Sequence, residues 1–385
     1  MPPSPATAQS APEPLVRPRG RSAAVAAPPV VVCIGVAAWK REAVSRLLSQ
    51  GTRDVAHVRS ASEAVRIARR ERGAIAVWSS RTPPAFQGLA ADARTSVAQI
   101  EDGFIRSAGL GAECRPPASI VLDHSGIHFD PSRPSDLETL LARGRFDPAL
   151  LRRSERLVSR IAALGVTKYN LRGANAPLPP EGRRTVLVPG QVEDDLSVRL
   201  GGAGVAGNLD LLRRARAQEP DAVILYRPHP DVEGGHRHGR LSDRQALRFA
   251  DQVVRGHDLP SLLAGVDAVH VLTSLTGFEA LIRGREVVVH GQPFYAGWGL
   301  TRDLAPPPRR GRRLTLAELA AAALILYPLY LDPLTGAPCD PETVVASLGE
   351  SARPAPGLLP LLRRAEAGVR RLAGVHPRRR AGGHG

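Results

Sequence analysis

The sequence is poor in cysteine, in lysine and in aromatic residues. These shortages argue against several classes of protein and of binding site. Three cysteines, Cys33, Cys114 and Cys339, stand too far apart for a metal site or a disulfide framework, which indicates a reducing compartment such as the cytoplasm. Aromatic residues make up 4% of the chain, too few for a wide surface that stacks nucleic-acid bases. No apolar run approaches the roughly 20 residues that a membrane-spanning helix needs.

Positive charge, by contrast, is abundant. The chain has 52 Lys and Arg against 37 Asp and Glu, a formal net charge of +15, and Lys occurs only at Lys40 and Lys168. We attribute the arginine bias to a GC-rich genome. Arg17–Arg21 and Arg378–Arg380 make both ends basic, which fits an anionic membrane surface or a solubilising tail. We expect no nucleic-acid partner, because no recognisable reading module occurs between them.

The pattern of apolar residues predicts two domains of α/β type. A single core rarely grows beyond about 250–300 residues, and this chain has 385, of which 43% are hydrophobic. Residues 1–29 are rich in Pro and Ala and lack the apolar segment of a signal peptide, so we predict a disordered tail. Residues 30–172 alternate strand-like and helix-like segments, with a hairpin over 119–129, and are predicted to form a Rossmann-like domain.

A linker rich in Gly and Pro, residues 173–184, separates this domain from a second one over residues 185–335. In the second domain, strands and helices alternate in the order strand 185–189, helix 208–217, strand 222–227, helix 242–255, strand 268–272, helix 277–283, strand 286–290. This rhythm predicts a parallel, doubly wound sheet. Residues 336–385 are predicted to be a helical segment and a basic tail. Two Rossmann-like domains facing a central cleft form the GT-B layout of glycosyltransferases, which several epimerases share.

An acidic triplet, Glu193-Asp194-Asp195, follows the first strand of the second domain and the break Pro189-Gly190. The carboxyl ends of parallel strands form the ligand-binding edge of such a sheet, and adjacent carboxylates repel one another unless a cation, a proton or a reaction needs them. We expect Asp195 to point into the cleft and to act as nucleophile or base at a sugar's anomeric carbon, with Asp194 capping or orienting. The alternative is an acidic helix N-cap.

A second strand ends in Arg227-Pro228-His229-Pro230. The two prolines hold in place an Arg that suits a phosphate or carboxylate and a His that can donate to a phosphate or a leaving oxygen. The alternative is a structural His that the backbone satisfies.

A third strand leads into Thr273-Ser274-Leu275-Thr276-Gly277 at the predicted start of a helix. Small hydroxyl residues and a Gly at a helix N-terminus predict an anion site, here lined by Ser274, Thr276 and Gly277. Glu279, about one turn inside, is a candidate for binding ribose hydroxyls. Its alternative is a helix-start charge or a capping residue.

Two further segments are candidates for the cleft. Glu101 and Asp102 precede a glycine-rich turn of the first domain and could face the cleft from the acceptor side, the alternative being a turn with surface charges. Phe294, Tyr295 and Trp298 bring three of the few aromatics into one loop, which is either a lid or stacking wall or a hydrophobic plug. No HExxH, CxxC or Walker loop occurs, so the sequence gives no support for metal dependence.

These segments together resemble the KpsC-type capsule polysaccharide β-Kdo transferases, over about residues 30–348. The resemblance is carried by Glu101–Ser107, Gly190–Asp195, Arg227–Pro230, Gln292–Thr301 and Ile325–Pro333. Phe294-Tyr295-Ala296-Gly297-Trp298-Gly299 is its most specific motif. Well-known members carry two such modules in tandem, whereas this chain has one.

The resemblance implies a GT-B fold, CMP-β-Kdo as donor with no further cofactor, and transfer with retention of the β configuration. It implies Asp195 as nucleophile, with Arg227 and His229 on the donor's phosphate or carboxylate. It also implies CMP binding by Ser274, Thr276 and Glu279. We add Gln191 and Gly277 as predicted donor-binding residues, and Glu101 or Asp102 as the candidate acceptor base.

The implied acceptor is a phosphatidylglycerol-linked lipid at the cytoplasmic face of the inner membrane, where a basic peripheral protein is attracted to an anionic surface. Capsule assembly proteins are possible partners. Two alternatives stay open. One is a non-catalytic capsule assembly or export protein that binds the glycolipid, and the other is a nucleotide-sugar epimerase or hydrolase of the same fold.

Overall fold

The computed structural model describes residues 28–350 except 50–53, 83–85, 87, 89–90, 92–93, 110–113, 172, 175–181 and 236. The predicted tail over residues 1–29 therefore lies almost entirely outside the described residues. The same holds for most of the predicted linker 173–184 and for the basic tail beyond residue 350.

Seven strands form the first sheet, in the order β13-β12-β5-β4-β3-β1-β2. Strands β1 to β4 pair in parallel, whereas β5 and β12 are antiparallel additions. The bounds are β1 Val30–Ile34, β2 Ala56–Val58, β3 Ala74–Trp78, β4 Val97–Asp102, β5 Ser119–Asp123, β12 Pro328–Leu331 and β13 Pro338–Cys339. The parallel register brings the carboxyl ends of β1, β3 and β4 to one edge.

The first domain includes four α-helices whose bounds lie in the described ranges. They are α1 Arg41–Ser49, α2 Ala61–Glu71, α3 Asp136–Arg143 and α4 Pro148–Ala163. Helix α4 shows why such segments are helical: Asp147 accepts the N–H of Leu150 as N-cap, and a proline occupies the first turn. Leu157 and Ile161, one turn apart, bury the apolar face.

Six parallel strands form the second sheet, in the order β11-β10-β9-β6-β7-β8. Their bounds are β6 Thr185–Pro189, β7 Val223–Arg227, β8 Gln252–Val253, β9 Ala268–Val271, β10 Glu286–Val289 and β11 Arg302–Asp303. The helices between them are α5 Leu196–Gly201, α6 Asn208–Gln218, α7 Pro230–Glu233, α8 Asp243–Ala246, α9 Leu259–Ala264 and α10 Leu275–Ile282. The predicted doubly wound sheet is confirmed.

The chain then returns to the first domain. Helix α11, Leu316–Ala320, continues as the π-helical turn Ala321–Leu326 and leads into β12 of the first sheet. Helix α12, Pro341–Glu350, contacts α4 and β12. The predicted second domain, residues 185–335, includes β12. Strand pairing instead places β12 in the first sheet. One hydrophobic core includes residues of both sheets, among them Val121 and Val269.

Two local predictions were wrong. The hairpin over 119–129 does not form, because β4 and β12 occupy both edges of β5 and leave no place for a strand at 127–129. The helix predicted over 242–255 is only the four residues of α8, because the following segment supplies β8 at the edge of the second sheet.

Candidate active site

A cleft of about 840 Å³ lies between the carboxyl edges of the two sheets. Strands β6, β7 and β9 are neighbours, so the three motifs that follow them meet at one edge, as the sequence predicts. Among the predicted site residues, those that line the cleft are Glu101, Asp102, Gln191, Asp194, Asp195, Arg227, His229, Ser274, Thr276, Glu279 and Phe294. Gly277, Tyr295 and Trp298 do not line it.

Arg227, the last residue of β7, is a cation on the second-domain side of the cleft. Its side chain is largely buried, and burial lowers its pKa, with Glu279, Glu233 and Asp258 acting in the opposite direction. Within the described part of the chain, its guanidinium forms no hydrogen bond and no ion pair with a carboxylate. A buried Arg that lines a cleft without a protein counter-ion is suited to hold an anionic ligand.

His229 is the N-cap of the short helix α7, since its Nδ1 accepts the N–H of Asp231 at 3.2 Å. The acceptor role at Nδ1 assigns the proton of the neutral ring to Nε2. Burial lowers the pKa of His229, and Arg227 and Lys168 add to this effect. His229 is therefore a neutral hydrogen-bond donor beside Arg227, partly backbone-satisfied as the alternative interpretation stated.

Ser274 caps helix α10, and its Oγ accepts the N–H of Thr276 at 3.2 Å. Both residues line the cleft, so the first turn of an eight-residue helix faces it. The positive dipole end of such a turn attracts anions, although the N–H groups of Thr276 and Gly277 already donate to Ser274. Gly277 has a different role from the predicted one: a Cβ there would lie 2.3 Å from the Tyr295 hydroxyl, so glycine is needed for close packing.

Glu279 lies one turn inside α10 and is 7% exposed. Its Oε1 accepts the backbone N–H of Lys168 at 2.8 Å. Burial raises its pKa, against the charges of Arg283, Arg227 and Lys168. Glu279 thus links the backbone at Lys168 to helix α10. It also lines the cleft, where the contact with the ribose is predicted.

Gln191 is held on both sides of its amide. Its Oε1 accepts the N–H of Thr273 at 2.9 Å and its Nε2 donates to Thr273 Oγ1 at 2.8 Å. These bonds tie the loop after β6 to the loop after β9. Gln191 therefore positions the edge that lines the cleft.

The acidic triplet divides into three roles. Glu193 accepts the N–H of Asn208 at 2.8 Å, and Asp194 forms an ion pair with Arg237 at 3.2 Å. Asp195 is the N-cap of α5: its Oδ1 accepts from the N–H and the hydroxyl of Ser197 at 2.9 and 2.7 Å. Its other oxygen has only a 3.9 Å contact with Arg237, and 46% of its side chain is exposed. Capping and a free carboxylate oxygen in the cleft are thus both present.

Glu101 and Asp102, at the end of β4, have opposite ionisation behaviour. Burial and the charge of Asp102 raise the pKa of Glu101 to about 7, although Lys40 opposes this. Burial also disfavours the charged form of Asp102, but Arg106 and Lys40 outweigh it and hold the pKa of Asp102 at about 2. Pairs whose environments separate their pKa values commonly divide acid–base work between them.

The aromatic loop is a packed plug. Tyr295 and Trp298 are fully buried, Trp298 Nε1 donates to the Phe294 carbonyl at 2.8 Å, and the Tyr295 hydroxyl donates to the Ser274 carbonyl. Phe294 stacks on Phe104 of the first domain at 4.5 Å. The prediction of a lid or stacking wall formed by all three is therefore corrected, since only Phe294 reaches the cleft.

Among the cleft-lining residues that the sequence interpretation missed are Lys40, His128, Lys168 and Tyr169. One signal was available: both lysines of a chain with 52 basic residues lie in this cleft. In a sequence that otherwise uses arginine, a retained lysine indicates a position where a compact ammonium group is needed. Among the described residues, no group of three His, Cys, Asp or Glu is placed to hold a metal ion.

A profile of the family "Capsule polysaccharide biosynthesis protein" matches residues 73–157 and 151–330. The chain belongs to this family. It is 40% identical over 316 residues to the capsule polysaccharide modification protein LipA of Neisseria meningitidis, which covers 82% of this chain and 45% of LipA. It is also 43% identical over 329 residues to the lipopolysaccharide-processing protein LpsZ of Rhizobium meliloti. That match covers 83% of this chain and 74% of LpsZ. The chain thus spans about half the length of LipA.

Two solved structures share the fold. The Thermosulfurimonas dismutans KpsC β-Kdo 2,4 transferase has a TM-score of 0.72 at 33% identity, and its β-Kdo 2,7 transferase has 0.67 at 32%. Each comparison covers 83% of this chain and 98% of the other. These likenesses confirm the GT-B-like fold of two Rossmann-like domains and the resemblance to KpsC-type proteins. None of the helices in the described ranges is long and apolar enough to cross a bilayer.

Proposed function

We propose that the chain is a glycosyltransferase that moves β-Kdo from CMP-Kdo to a lipid-linked acceptor in capsule polysaccharide biosynthesis. The observation that carries the proposal is the composition of the cleft. An anion-binding edge with Arg227, His229 and the start of α10 faces a pair of carboxylates with separated pKa values. The relatives named above, which include β-Kdo transferases, support the sugar.

In the proposed mechanism the donor's phosphate binds at Arg227 and the first turn of α10. The free oxygen of Asp195 attacks the anomeric carbon, the bond to the phosphate oxygen breaks, and CMP leaves with the bonding electrons. The acceptor hydroxyl then attacks the same carbon and displaces Asp195, while Glu101 takes the hydroxyl proton. Two inversions give net retention.

Glu101 suits the role of base better than Asp102 does. A base acts best when its pKa lies near the working pH, and the pKa of Glu101 is raised to about 7. Asp102 is occupied by ion pairs with Lys40 at 3.0 Å and Arg106 at 2.8 Å, which keep it ionised and fixed. We assign Asp102 to positioning the basic side chains beside it.

We further propose that the acceptor is a phosphatidylglycerol-linked or lysophosphatidylglycerol-linked glycolipid and that the protein works at the cytoplasmic face of the inner membrane. The net charge of +15 supports attraction to an anionic lipid surface. Co-sedimentation of the full chain with phosphatidylglycerol vesicles, compared with neutral vesicles, tests the association. Equal recovery with both would contradict it.

The decisive experiment is to incubate the purified chain with CMP-Kdo and a lipid or synthetic Kdo acceptor and to follow CMP release and acceptor mass. Extension of the acceptor with stoichiometric CMP supports the proposal. Donor consumption without an extended acceptor indicates a hydrolase or epimerase. Glycolipid binding without any turnover indicates an assembly protein. Arg227→Met serves as a variant that should lose turnover while remaining folded.

A further inference from the structure

Lys168 lines the cleft, and within the described residues no carboxylate forms an ion pair with its ammonium group. The residue lies in the connection between the two domains and lines the cleft. Its Nζ lies 5.3 Å from the centre of the Tyr169 ring, and no carboxylate oxygen of the described residues lies within ion-pair distance. An ammonium that has no carboxylate in contact with it can take an anionic ligand as its direct partner.

Both domains fix the backbone of Lys168. Its N–H donates to Glu279 of α10 at 2.8 Å, and its carbonyl accepts from Arg106 and Ser107 of the first domain at 3.1 and 3.2 Å. A reciprocal turn follows, in which Thr167 and Asn170 bond to each other's backbone at 2.9 and 3.0 Å. The ammonium therefore extends from a segment anchored to the two walls, which is a position suited to a substrate held between them.

The charges of three carboxylates act on Lys168, namely Glu101 and Asp102 on the first domain and Asp195 on the second. Burial disfavours its charged form, but Tyr169 and these carboxylates outweigh burial and raise the pKa of Lys168. The side chain is thus charged at neutral pH. The charges that act on it include those of the proposed base, Glu101, and of the proposed nucleophile, Asp195, the two groups that must both approach the anomeric carbon.

Arg227 has different neighbours. The charges that act on it are those of Glu279, Glu233 and Asp258, on the donor-side edge. Lys168 and Arg227 are thus two separate, partly buried cations of the cleft, and neither forms an ion pair within the described residues. A sugar donor such as CMP-Kdo also has two separate anionic groups, a phosphodiester and a carboxylate. In a 2-keto sugar acid the carboxylate is bonded to the anomeric carbon itself, so its counter-ion must lie beside the reacting atoms.

We infer that Lys168 binds the carboxylate of the donor sugar and makes the site selective for 2-keto sugar acids, an inference that rests on the proposed function. Arg227 and the start of α10 then bind the phosphate. A sugar without the carboxylate would leave the Lys168 ammonium desolvated and unpaired. An ammonium left without a partner disfavours such a sugar more strongly than one additional favourable contact would favour a 2-keto sugar acid.

Binding of CMP and of CMP-Kdo to the full chain by titration calorimetry tests the inference. Asp195→Asn is present in every protein, so that no covalent step occurs. Lys168→Met should weaken the binding of CMP-Kdo by about 10–100-fold, which corresponds to the loss of one charge-assisted hydrogen bond. The affinity for CMP should change by no more than about twofold. Lys168→Arg, which keeps the charge, should recover part of the loss. Arg227→Met should weaken both ligands, because both have the phosphate.

Arg81→Met is the matched control, since Arg81 is an exposed cation that lines the same cleft. It should change neither affinity by more than about twofold, because an exposed charge is screened by solvent. Equal weakening of CMP and CMP-Kdo by Lys168→Met would overturn the inference in favour of a phosphate contact. An unchanged affinity for both would also overturn it. If the Asp195→Asn protein binds neither ligand, the proposed function itself has failed.

Discussion

The Lys40 ammonium lies 3.0 Å from both carboxylate oxygens of Asp102 and 3.7 Å from the centre of the Trp78 ring. Arg106 approaches the same carboxylate at 2.8 Å. This arrangement fixes one acid of the pair at the end of β4 in its ionised form and leaves Glu101 beside it with a raised pKa. The ion pair thus determines which of the two acids can exchange a proton near neutral pH.

The rate of transfer should depend on the ionisation of Glu101. Because the proposed base must be deprotonated, kcat/KM is expected to be low in acid and to rise through a midpoint near pH 7, the value to which the pKa of Glu101 is raised. Glu101→Gln should lower the rate by about 10²–10⁴-fold and remove this limb. A pH–rate profile of wild type and variant checks both points. If the acid limb of the pH–rate profile is unchanged in Glu101→Gln, the limb reports the ionisation of another group.

Removing Lys40 should shift that midpoint upward. The Lys40 charge lowers the pKa of both Glu101 and Asp102, so Lys40→Met should raise both pKa values. The acid limb of kcat/KM is then expected at higher pH than in wild type, whereas Lys40→Arg should stay closer to wild type. A midpoint that moves to lower pH in Lys40→Met would contradict the proposed electrostatic role.

Substitutions at Asp195 can separate capping from chemistry. Asp195→Ala should lose about 1 kcal/mol of the free energy of unfolding, because the cap bonds to Ser197 disappear. Asp195→Ser keeps a capping oxygen and should retain most of that stability. Both should lower transfer by at least about 10³-fold if the carboxylate is the nucleophile. Urea unfolding and transfer assays are compared, with Asp194→Asn as the neighbouring control. Full activity in Asp195→Ser would exclude the nucleophilic role.

A buried ion pair joins the two domains away from the cleft. Arg310, whose side chain is 2% exposed, lies 3.0 Å from Glu138 of α3, and Arg309 pairs with the same carboxylate at 2.9 Å. Arg310→Met should destabilise the fold by about 3 kcal/mol, since one partner of a buried pair is left with reduced compensation. The exposed pair between Arg46 and Glu42 is the control, and Arg46→Met should cost less than about 1 kcal/mol. Similar unfolding free energies for both variants would contradict this.

Two buried histidines should make stability depend on pH. His270 Nδ1 lies 3.1 Å from His290 Nε2, and burial lowers the pKa of both rings, that of His290 to about 4. In the unfolded chain a histidine titrates near pH 6.5. Between those values the unfolded state binds more protons, so stability should fall as pH falls from about 6.5 to about 4. His290→Asn should flatten this slope relative to wild type in denaturation curves at several pH values. A slope equal to that of wild type would show that other groups cause it.

The sequence predicted the second domain well, because its signals are local. Runs such as Val186 to Val188 are apolar and short, and each ends in a glycine, a proline or a polar motif. The strand Val97–Asp102 was missed although apolar and polar residues alternate along it, as in a half-buried strand, and its place between β3 and β5 follows only from pairing that is distant in the chain. The sequence left open whether Tyr295 and Trp298 form a lid or a hydrophobic plug, because an aromatic-rich loop has the same sequence pattern whether it packs inside or covers a site.

The sequence by itself determined the strand–helix rhythm, the edge at which three motifs meet and the types of side chain brought there, since these follow from periodicity and from the parallel connection rule. Only the tertiary structure decided that β12 returns to the first sheet, that Lys168 is held to both domains, and that Glu101 rather than Asp102 has the raised pKa. The physical reason is range. Backbone patterns act over a few residues, whereas burial and charge depend on groups that are distant in the chain and adjacent in space, as Lys40 and Asp102 are.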